Sequence, residues 1–117
     1  MAKWFRCKGG IWCELNKLDL SHDYMQAAEG VYVVWSGMKD RKVLIVGSGK
    51  IGKQLQQVRE QLFIKAFFHL GVYVSWVEVG AIKRAGVEAF LNKELQPAFP
   101  SKNAGSIPIS IELPWED

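Results

Sequence analysis

The fold is decided by two apolar segments, Gly30-Val31-Tyr32-Val33-Val34-Trp35 and Val43-Leu44-Ile45-Val46-Gly47-Ser48-Gly49-Lys50-Ile51-Gly52-Lys53-Gln54-Leu55. Their β-branched and aromatic residues favour strands at 30–36 and 42–47. Because only a short polar turn at 36–40 separates them, the two strands are predicted to be antiparallel neighbours. The second strand is almost purely apolar, which predicts that it is central and buried on both faces. It leads through glycines into a basic amphipathic helix.

The flanking sequence predicts five further elements. A hairpin is expected at 3–15, since Gly9 and Gly10 suit the positive φ angles of a tight turn. The basic helix is expected to run from residue 50 or 51 to Leu62, with an inner stripe of Ile51, Leu55, Val58 and Leu62. The remaining predictions are a strand at 72–79, a helix at 81–95 that Pro97 stops, and an edge strand at 107–113.

The composition indicates one small globular domain. The chain has 117 residues, is 49% hydrophobic and carries a net charge of +3, which permits a polyanionic partner without requiring one. No run approaches the roughly 18 apolar residues that span a bilayer, so no membrane partner is expected. The first residues lack the apolar region of a signal peptide, and the expected location is cytoplasmic.

Cys7 and Cys13 are the only cysteines, and their spacing is not that of a CxxC pair. With only His22 and His69 elsewhere, a zinc site with four ligands is not expected. A hairpin could bring the two thiols close enough for a disulfide. Because a cytosolic protein normally keeps its thiols reduced, two half-buried reduced cysteines are predicted.

The glycine-rich segment matches two phosphate-binding motifs. Gly47-x-Gly49-x-x-Gly52 has the spacing of the dinucleotide fingerprint, but the preceding strand belongs to a tight hairpin and the chain is too short for two mononucleotide-binding halves. The same residues begin a Walker A pattern, in which Gln54 stands where the Mg²⁺-binding Ser or Thr is needed. Neither NAD nor ATP is therefore expected, and the glycines are explained by a tight strand-to-helix turn.

A different motif series covers residues 30–100. Gly30-Val31-Tyr32 and Ile45-Val46-Gly47 resemble the two half-motifs of the GIY-YIG nuclease superfamily. Three later motifs of that family have counterparts at the expected order and spacing: Ile51-x-x-Gln54-Leu55-x-x-Val58, Glu88-Ala89-Phe90-Leu91 and Leu95-Gln96-Pro97. The resemblance implies a small, mainly antiparallel sheet flanked by helices.

The resemblance also implies a chemistry, phosphodiester hydrolysis with one divalent metal ion. Tyr32 and Glu88 would be the catalytic residues, with Glu88 holding Mg²⁺ or Mn²⁺ and Tyr32 orienting water. The family's second tyrosine, its arginine and its histidine are replaced here, by Ile45, Gln54 and Val58. Because the anionic transition state needs positive charge already in place, a chain without that arginine should retain little activity.

Positive charge is concentrated around the same segment. Between residues 39 and 65 seven basic residues face only two acidic ones, Asp40 and Glu60. Lysine and arginine contacts to phosphate give nucleic-acid affinity that does not depend on base sequence. The residues predicted to bind nucleic acid are Lys42, Lys50, Lys53, Gln54 and Arg59. An ordinary solvated helix face remains the alternative.

These observations predict one α+β domain spanning 1–117. Its core is 30–100, preceded by an N-terminal hairpin and connection at 1–29 and followed by a C-terminal loop and edge strand at 101–117. The expected function is weak, non-specific binding of DNA or RNA by a degenerate GIY-YIG-like domain. The alternatives are a weak metal-dependent nuclease, or a protein-interaction module that uses exposed aromatic residues such as Trp4, Trp12 and Trp115.

Overall fold

The computed structural model describes residues 2–99, 101 and 105–116. In this part of the chain, a four-stranded antiparallel sheet of order β1-β4-β2-β3 packs against helices, which confirms the α+β class. The strands are β1 (Cys13–Glu14), β2 (Glu29–Ser36), β3 (Lys42–Lys50) and β4 (Val72–Glu78). The helices are α1 (Asp23–Ala27), α2 (Ile51–Glu60), α3 (Leu62–Lys65) and α4 (Ala81–Leu95).

The hairpin of β2 and β3 forms as predicted, but β3 lies at the edge of the sheet. The central position belongs to β2, which pairs with both β3 and β4. The free side of β3 is covered by irregular chain, since the N–H groups of Ala98 and Phe99 donate to the carbonyls of Val43 and Leu44, each at 2.9 Å. An edge strand can be apolar here because a layer of side chains covers each face.

The helix after β3 begins where predicted and ends earlier. The prediction continued it to Leu62, whereas α2 stops at Glu60 because Gln61 has extended backbone angles, φ −70° and ψ 130°. Ile51, Leu55 and Val58 are buried as the periodicity indicated. The break rotates Leu62 out of the stripe and leaves it 81% exposed.

Two apolar cores lie on the two faces of the sheet. One contains Tyr32, Leu44, Leu55 and Trp76 and includes the buried residues of α2. The other contains Val33, Trp35 and Val46 and is closed by Val87 and Leu91 of α4, a helix with the predicted bounds. Because β2 sends alternate side chains to opposite faces, it contributes to both cores.

The predicted edge strand at 107–113 does not form. This segment is irregular and passes along α4, where the Ile109 N–H donates to the Gly86 carbonyl at 2.9 Å. A Cβ atom on Gly86 would lie 2.6 Å from the Ile109 side chain, so the glycine permits this close approach. The alternating pattern therefore reflects packing on a helix. The rest of the predicted C-terminal loop lies partly outside the described residues.

The predicted hairpin at 3–15 does not form as two paired strands in the described residues, although the chain turns at the predicted glycines. Gly9 and Gly10 have φ angles of 82° and 73° within a single turn of 3-10 helix. Only Cys13–Glu14 after the turn has strand geometry, and before the turn the Phe5 N–H donates to the Trp76 carbonyl at 2.9 Å. Both arms of this reversal therefore lie along the outer edge of β4.

Cys7 and Cys13 form a disulfide, which corrects the prediction of reduced thiols. The tight turn brings their Cα atoms to 5.2 Å, within the range that a disulfide requires. Such bonds persist in oxidising compartments, so this bond and the expected cytoplasmic location do not agree. None of the helices formed by the described residues is long and apolar enough to cross a membrane.

The tryptophans proposed as an exposed surface are largely internal. Trp4 is only 4% exposed, and its Nε1 donates to the Glu112 carbonyl at 2.7 Å. Trp12 and Trp115 are half-buried and pack edge-on against Trp35, each with ring centroids 5.2 Å apart. These rings close one core and do not form an open aromatic surface.

Candidate functional site

A polar pocket lies beside β3, between α2 and α4. Its cavity volume is about 300 Å³, the low end of the range for small-ligand sites. Three of the predicted site residues line it: Tyr32 from β2, Gln54 from α2 and Glu88 from α4. The fold therefore brings together residues that are separated by up to 56 positions in the chain.

The Tyr32 ring has room in the pocket because the residue opposite it on β3 is a glycine. In the β2–β3 register Tyr32 pairs with Gly47, and the tyrosine ring lies over the glycine. A Cβ atom on Gly47 would come within 2.2 Å of the Tyr32 hydroxyl oxygen and 2.4 Å of the ring carbon that bears it. A glycine is therefore required at position 47 to leave space for the tyrosine side chain. The backbone of Gly47 continues β3, so this glycine does not form the predicted strand-to-helix turn.

The Tyr32 hydroxyl donates to Gln54 Oε1 at 3.3 Å. Gln54 lies in the first turn of α2, directly after the strand. Its side chain passes Gly49, which has a φ of 129° and adopts a conformation that disfavours other residues. A neutral amide therefore occupies the place where the family resemblance puts a guanidinium.

Glu88 is a buried carboxylate on the side of α4 that faces β3. It is 2% exposed, and Ser48 Oγ donates to its Oε1 at 2.5 Å. One turn later, Asn92 Nδ2 donates to the Glu88 carbonyl at 2.8 Å and to Ser101 Oγ at 2.9 Å. These hydrogen bonds help to satisfy a polar cluster whose burial would otherwise be costly.

The supporting residues Ser48, Asn92 and Ser101 were not identified from the sequence. Ser48 lies between two glycines and was interpreted only as part of a turn. Asn92 lies one helical turn after Glu88, and that spacing was an available signal for a polar stripe on α4. Nothing in the local sequence places Ser101 beside them.

The environment of Tyr32 favours its protonated form. Burial raises the pKa of the Tyr32 phenol to about 12, and the negative charge of Glu88 raises it in the same direction. At neutral pH Tyr32 is therefore a hydrogen-bond donor, and a base would have to be supplied by another group.

Ile45 and Val58 stand where the GIY-YIG resemblance would place a tyrosine and a histidine, and their surroundings differ. Ile45 lines the pocket with its side chain half-buried. Val58 is 7% exposed and belongs to the core between the sheet and α2. The pocket thus has apolar wall where the resemblance would place a second tyrosine, and α2 has no histidine in that turn.

The predicted basic residues separate into two groups. Lys50 and Lys53 are exposed at the end of β3 and in the first turn of α2, beside Gln54. Lys42 lies at the other end of β3, five residues and about 17 Å from Gly47, with its Nζ 5.4 Å from the Phe67 ring centroid. Arg59 Nη1 donates to the Leu18 carbonyl at 2.9 Å and so anchors the N-terminal connection.

The metal-binding potential of the pocket rests on oxygen ligands. Glu88 supplies a carboxylate, and Ser48 and Gln54 supply neutral oxygen atoms, which are ligands suited to Mg²⁺ or Mn²⁺. Within the described ranges no three His, Cys, Asp or Glu side chains are grouped closely enough to hold a metal ion. Any ion here would depend on one protein carboxylate, with water and phosphate oxygens completing its coordination.

No protein-family model, curated protein or solved structure matches the chain. The GIY-YIG resemblance therefore stays a prediction that depends on the residues quoted for it. The α+β fold and the geometry of the pocket stand independently of that resemblance.

Proposed function

We propose that this domain binds nucleic acid weakly and without sequence preference, across the polar pocket and the start of α2, with little or no nuclease activity. The observation that carries the proposal is that Tyr32, Gln54 and Glu88 line one pocket beside the exposed Lys50 and Lys53. The ammonium groups of these two exposed residues attract phosphates, and the pocket supplies hydrogen-bonding groups. Lys42 and Arg59 lie outside this face and contribute less.

The same side chains support the proposal of little or no cleavage. Gln54 carries no charge to stabilise an anionic transition state, and Tyr32 holds its proton through the neutral pH range. If Mg²⁺ or Mn²⁺ binds, Glu88 is the residue that would hold it, and the ion would supply positive charge opposite phosphate. Removing one pre-placed charge or donor typically costs about 10²–10³-fold in rate, and several are replaced here.

The binding proposal is tested by fluorescence anisotropy with labelled single-stranded and duplex DNA and RNA over a range of salt concentrations. Affinity should fall steeply as salt rises. The double variant Lys50→Glu/Lys53→Glu should bind at least about tenfold more weakly. Lys8→Glu/Lys39→Glu is the matched control, because it makes the same charge change at exposed turns near the opposite end of the sheet. Equal weakening in both variants, or no binding at low salt, would refute the proposal.

Residual metal-dependent cleavage is the second candidate, favoured by the buried carboxylate of Glu88 beside the Tyr32 hydroxyl. Supercoiled plasmid incubated with the pure protein and Mg²⁺ or Mn²⁺ measures it. Glu88→Gln preserves the size of the side chain and removes the charge. We expect no difference between the two proteins. Cleavage by the parent protein that Glu88→Gln abolishes would instead establish a nuclease.

A further inference from the structure

A second and larger cavity lies at the opposite edge of the sheet, along β4. It is an open groove of about 870 Å³ between the N-terminal residues, the end of β4 and the segment 110–116. None of the residues of the polar pocket lines it. Tyr32 and Trp76 pair across β2 and β4, so the pocket and the groove flank the same row of the sheet from its two sides.

One wall of the groove is a cluster of three aromatic rings. Phe5 stacks on Trp76 with centroids 4.4 Å apart and planes 13° apart. Tyr24 contacts both rings, with its centroid 5.6 Å from that of Phe5 and 6.5 Å from that of Trp76, and Trp76 Nε1 donates to the Tyr24 hydroxyl at 3.2 Å. Trp76 is buried, whereas Tyr24 is 39% exposed. The cluster therefore presents an accessible aromatic surface at Tyr24, which favours flat or cationic groups.

The rim of the groove is acidic although the chain as a whole is basic. Among the described residues, Glu78, Glu112 and Glu116 line it, against a single ammonium from Lys3. Glu112 accepts from the Ala2 N–H at 2.9 Å, and Glu116 accepts from the Leu113 N–H at 2.8 Å. The Glu78 carboxylate has no hydrogen-bond or ion-pair partner in the described part of the chain. This charge repels nucleic acid and attracts a cation.

The three carboxylates of the groove suit a ligand that carries several separated positive charges, and they do not suit a single metal ion. No three of the described acidic, histidine or cysteine side chains are grouped closely enough for a metal ion. Alternate side chains of an extended peptide lie about 7 Å apart on one face. Lysine or arginine side chains at that spacing can each approach a different carboxylate, while their aliphatic stems lie on the aromatic wall.

The end of β4 also offers unused backbone groups. The Trp76 carbonyl accepts from the Phe5 N–H, so the main-chain groups of Trp76 point away from β2. Because the hydrogen-bonding direction alternates from residue to residue along a strand, the main-chain groups of Glu78 point the same way. In the described residues no backbone group hydrogen-bonds to the outward side of Glu78. A free strand edge is a template for an added strand.

We propose that this groove binds a short extended segment of a partner protein that is rich in lysine or arginine. The main chain of the segment continues the sheet beyond Phe5, at Glu78. Its basic side chains meet Glu78, Glu112 and Glu116, and one of them lies against Tyr24. This interaction is independent of nucleic-acid binding at the other edge of the sheet.

The probe is the peptide acetyl-Lys-Val-Lys-Val-Lys-amide, titrated at low salt and followed by tryptophan fluorescence and by NMR chemical shifts. We expect saturable binding with shifts at Phe5, Tyr24 and Glu78. Glu78→Lys should weaken the affinity for the peptide about tenfold. The matched control Glu94→Lys changes an exposed residue of α4 and should alter the affinity by no more than about twofold. Absence of binding, or equal weakening in both variants, would overturn the proposal.

Three further ligands test the assignment to a peptide. The acidic counterpart acetyl-Glu-Val-Glu-Val-Glu-amide should not bind. A basic peptide methylated at alternate backbone nitrogens should lose affinity if strand addition occurs, and unchanged affinity would overturn that geometry. Spermine binding as tightly as the peptide would overturn the assignment to a peptide. DNA affinity of Glu78→Lys, measured separately, should not decrease, so failure of one proposal is distinguishable from failure of the other.

Discussion

Tyr32 lies so close to Gly47 that a Cβ atom at position 47 would overlap its ring. Gly47→Ala should destabilise the domain by about 1–3 kcal/mol, because the added methyl group would overlap the Tyr32 ring and force it or β3 to move. Urea unfolding measures the change. Gly105→Ala is the control, since a Cβ there meets no atom of the described residues within 4 Å, and its effect should be small.

A double-mutant cycle tests whether the tyrosine ring is the cause. Tyr32→Val leaves a β-branched strand residue and opens space above Gly47. In that background, Gly47→Ala should cost much less than in the parent protein, which gives a coupling energy of about 1 kcal/mol or more. Additive effects would show that Gly47 is required for another reason.

The raised pKa of Tyr32 makes the stability of the domain depend on pH at alkaline values. The folded protein holds the phenolic proton more tightly than the unfolded chain, whose tyrosine has a pKa near 10.0. The resulting stabilisation is fully present below pH 10 and is lost as pH rises toward about 12. It amounts to roughly 2–3 kcal/mol for a shift of this size. Urea unfolding at several alkaline pH values measures it.

Tyr32→Phe and Glu88→Gln separate the causes of that pH dependence. The phenylalanine variant should lose less stability between pH 10 and 12 than the parent, because it has no proton to release there. In Glu88→Gln, absorbance titration should give a Tyr32 pKa that is lower than in the parent but still above the ordinary value, since burial is the larger cause. A Tyr32 pKa unchanged by Glu88→Gln would mean that the two side chains do not interact electrostatically.

Among the elements, β3 depends on an irregular segment to protect its free edge. Ala98→Pro removes the N–H that donates to the Val43 carbonyl, which should cost about 1 kcal/mol or more and expose an apolar edge. We expect lower stability in urea and greater self-association by sedimentation. Ala98→Val, which keeps the N–H, is the control, and equal behaviour of the two variants would contradict this account.

The disulfide constrains the N-terminal reversal against β4. Because it closes a short loop, the chain-entropy model gives it about 2 kcal/mol of stabilisation. Urea unfolding with and without a reductant should show a difference of that order. The double variant Cys7→Ser/Cys13→Ala should be insensitive to the reductant. A parent protein that unfolds identically in both conditions would indicate that the bond does not form in solution.

At the scale of the whole molecule, charge is distributed between the two sides of the sheet. Exposed lysines lie at the start of α2 beside β3, and three carboxylates line the groove beyond β4. The net charge of +3 is therefore a sum of opposite surfaces, and it describes neither of them. Both proposals follow from this separation, because one ligand is anionic and the other is cationic.

The sequence by itself determined the elements whose signals are local. The β2–β3 hairpin, the start of α2 and both ends of α4 follow from side-chain periodicity and turn residues, which act over a few positions. Motif order also placed Tyr32, Gln54 and Glu88 in one site, and they line one pocket. What the pocket binds remains a prediction.

Only the tertiary structure decided the rest. The edge position of β3, the path of 107–113 along α4 and the Ser48–Glu88 hydrogen bond depend on partners that are distant in the chain. An apolar strand is compatible with either a central or an edge position as long as something covers it. A local pattern specifies which face of a segment is buried, whereas the neighbour that buries it is chosen by the packing of the whole chain.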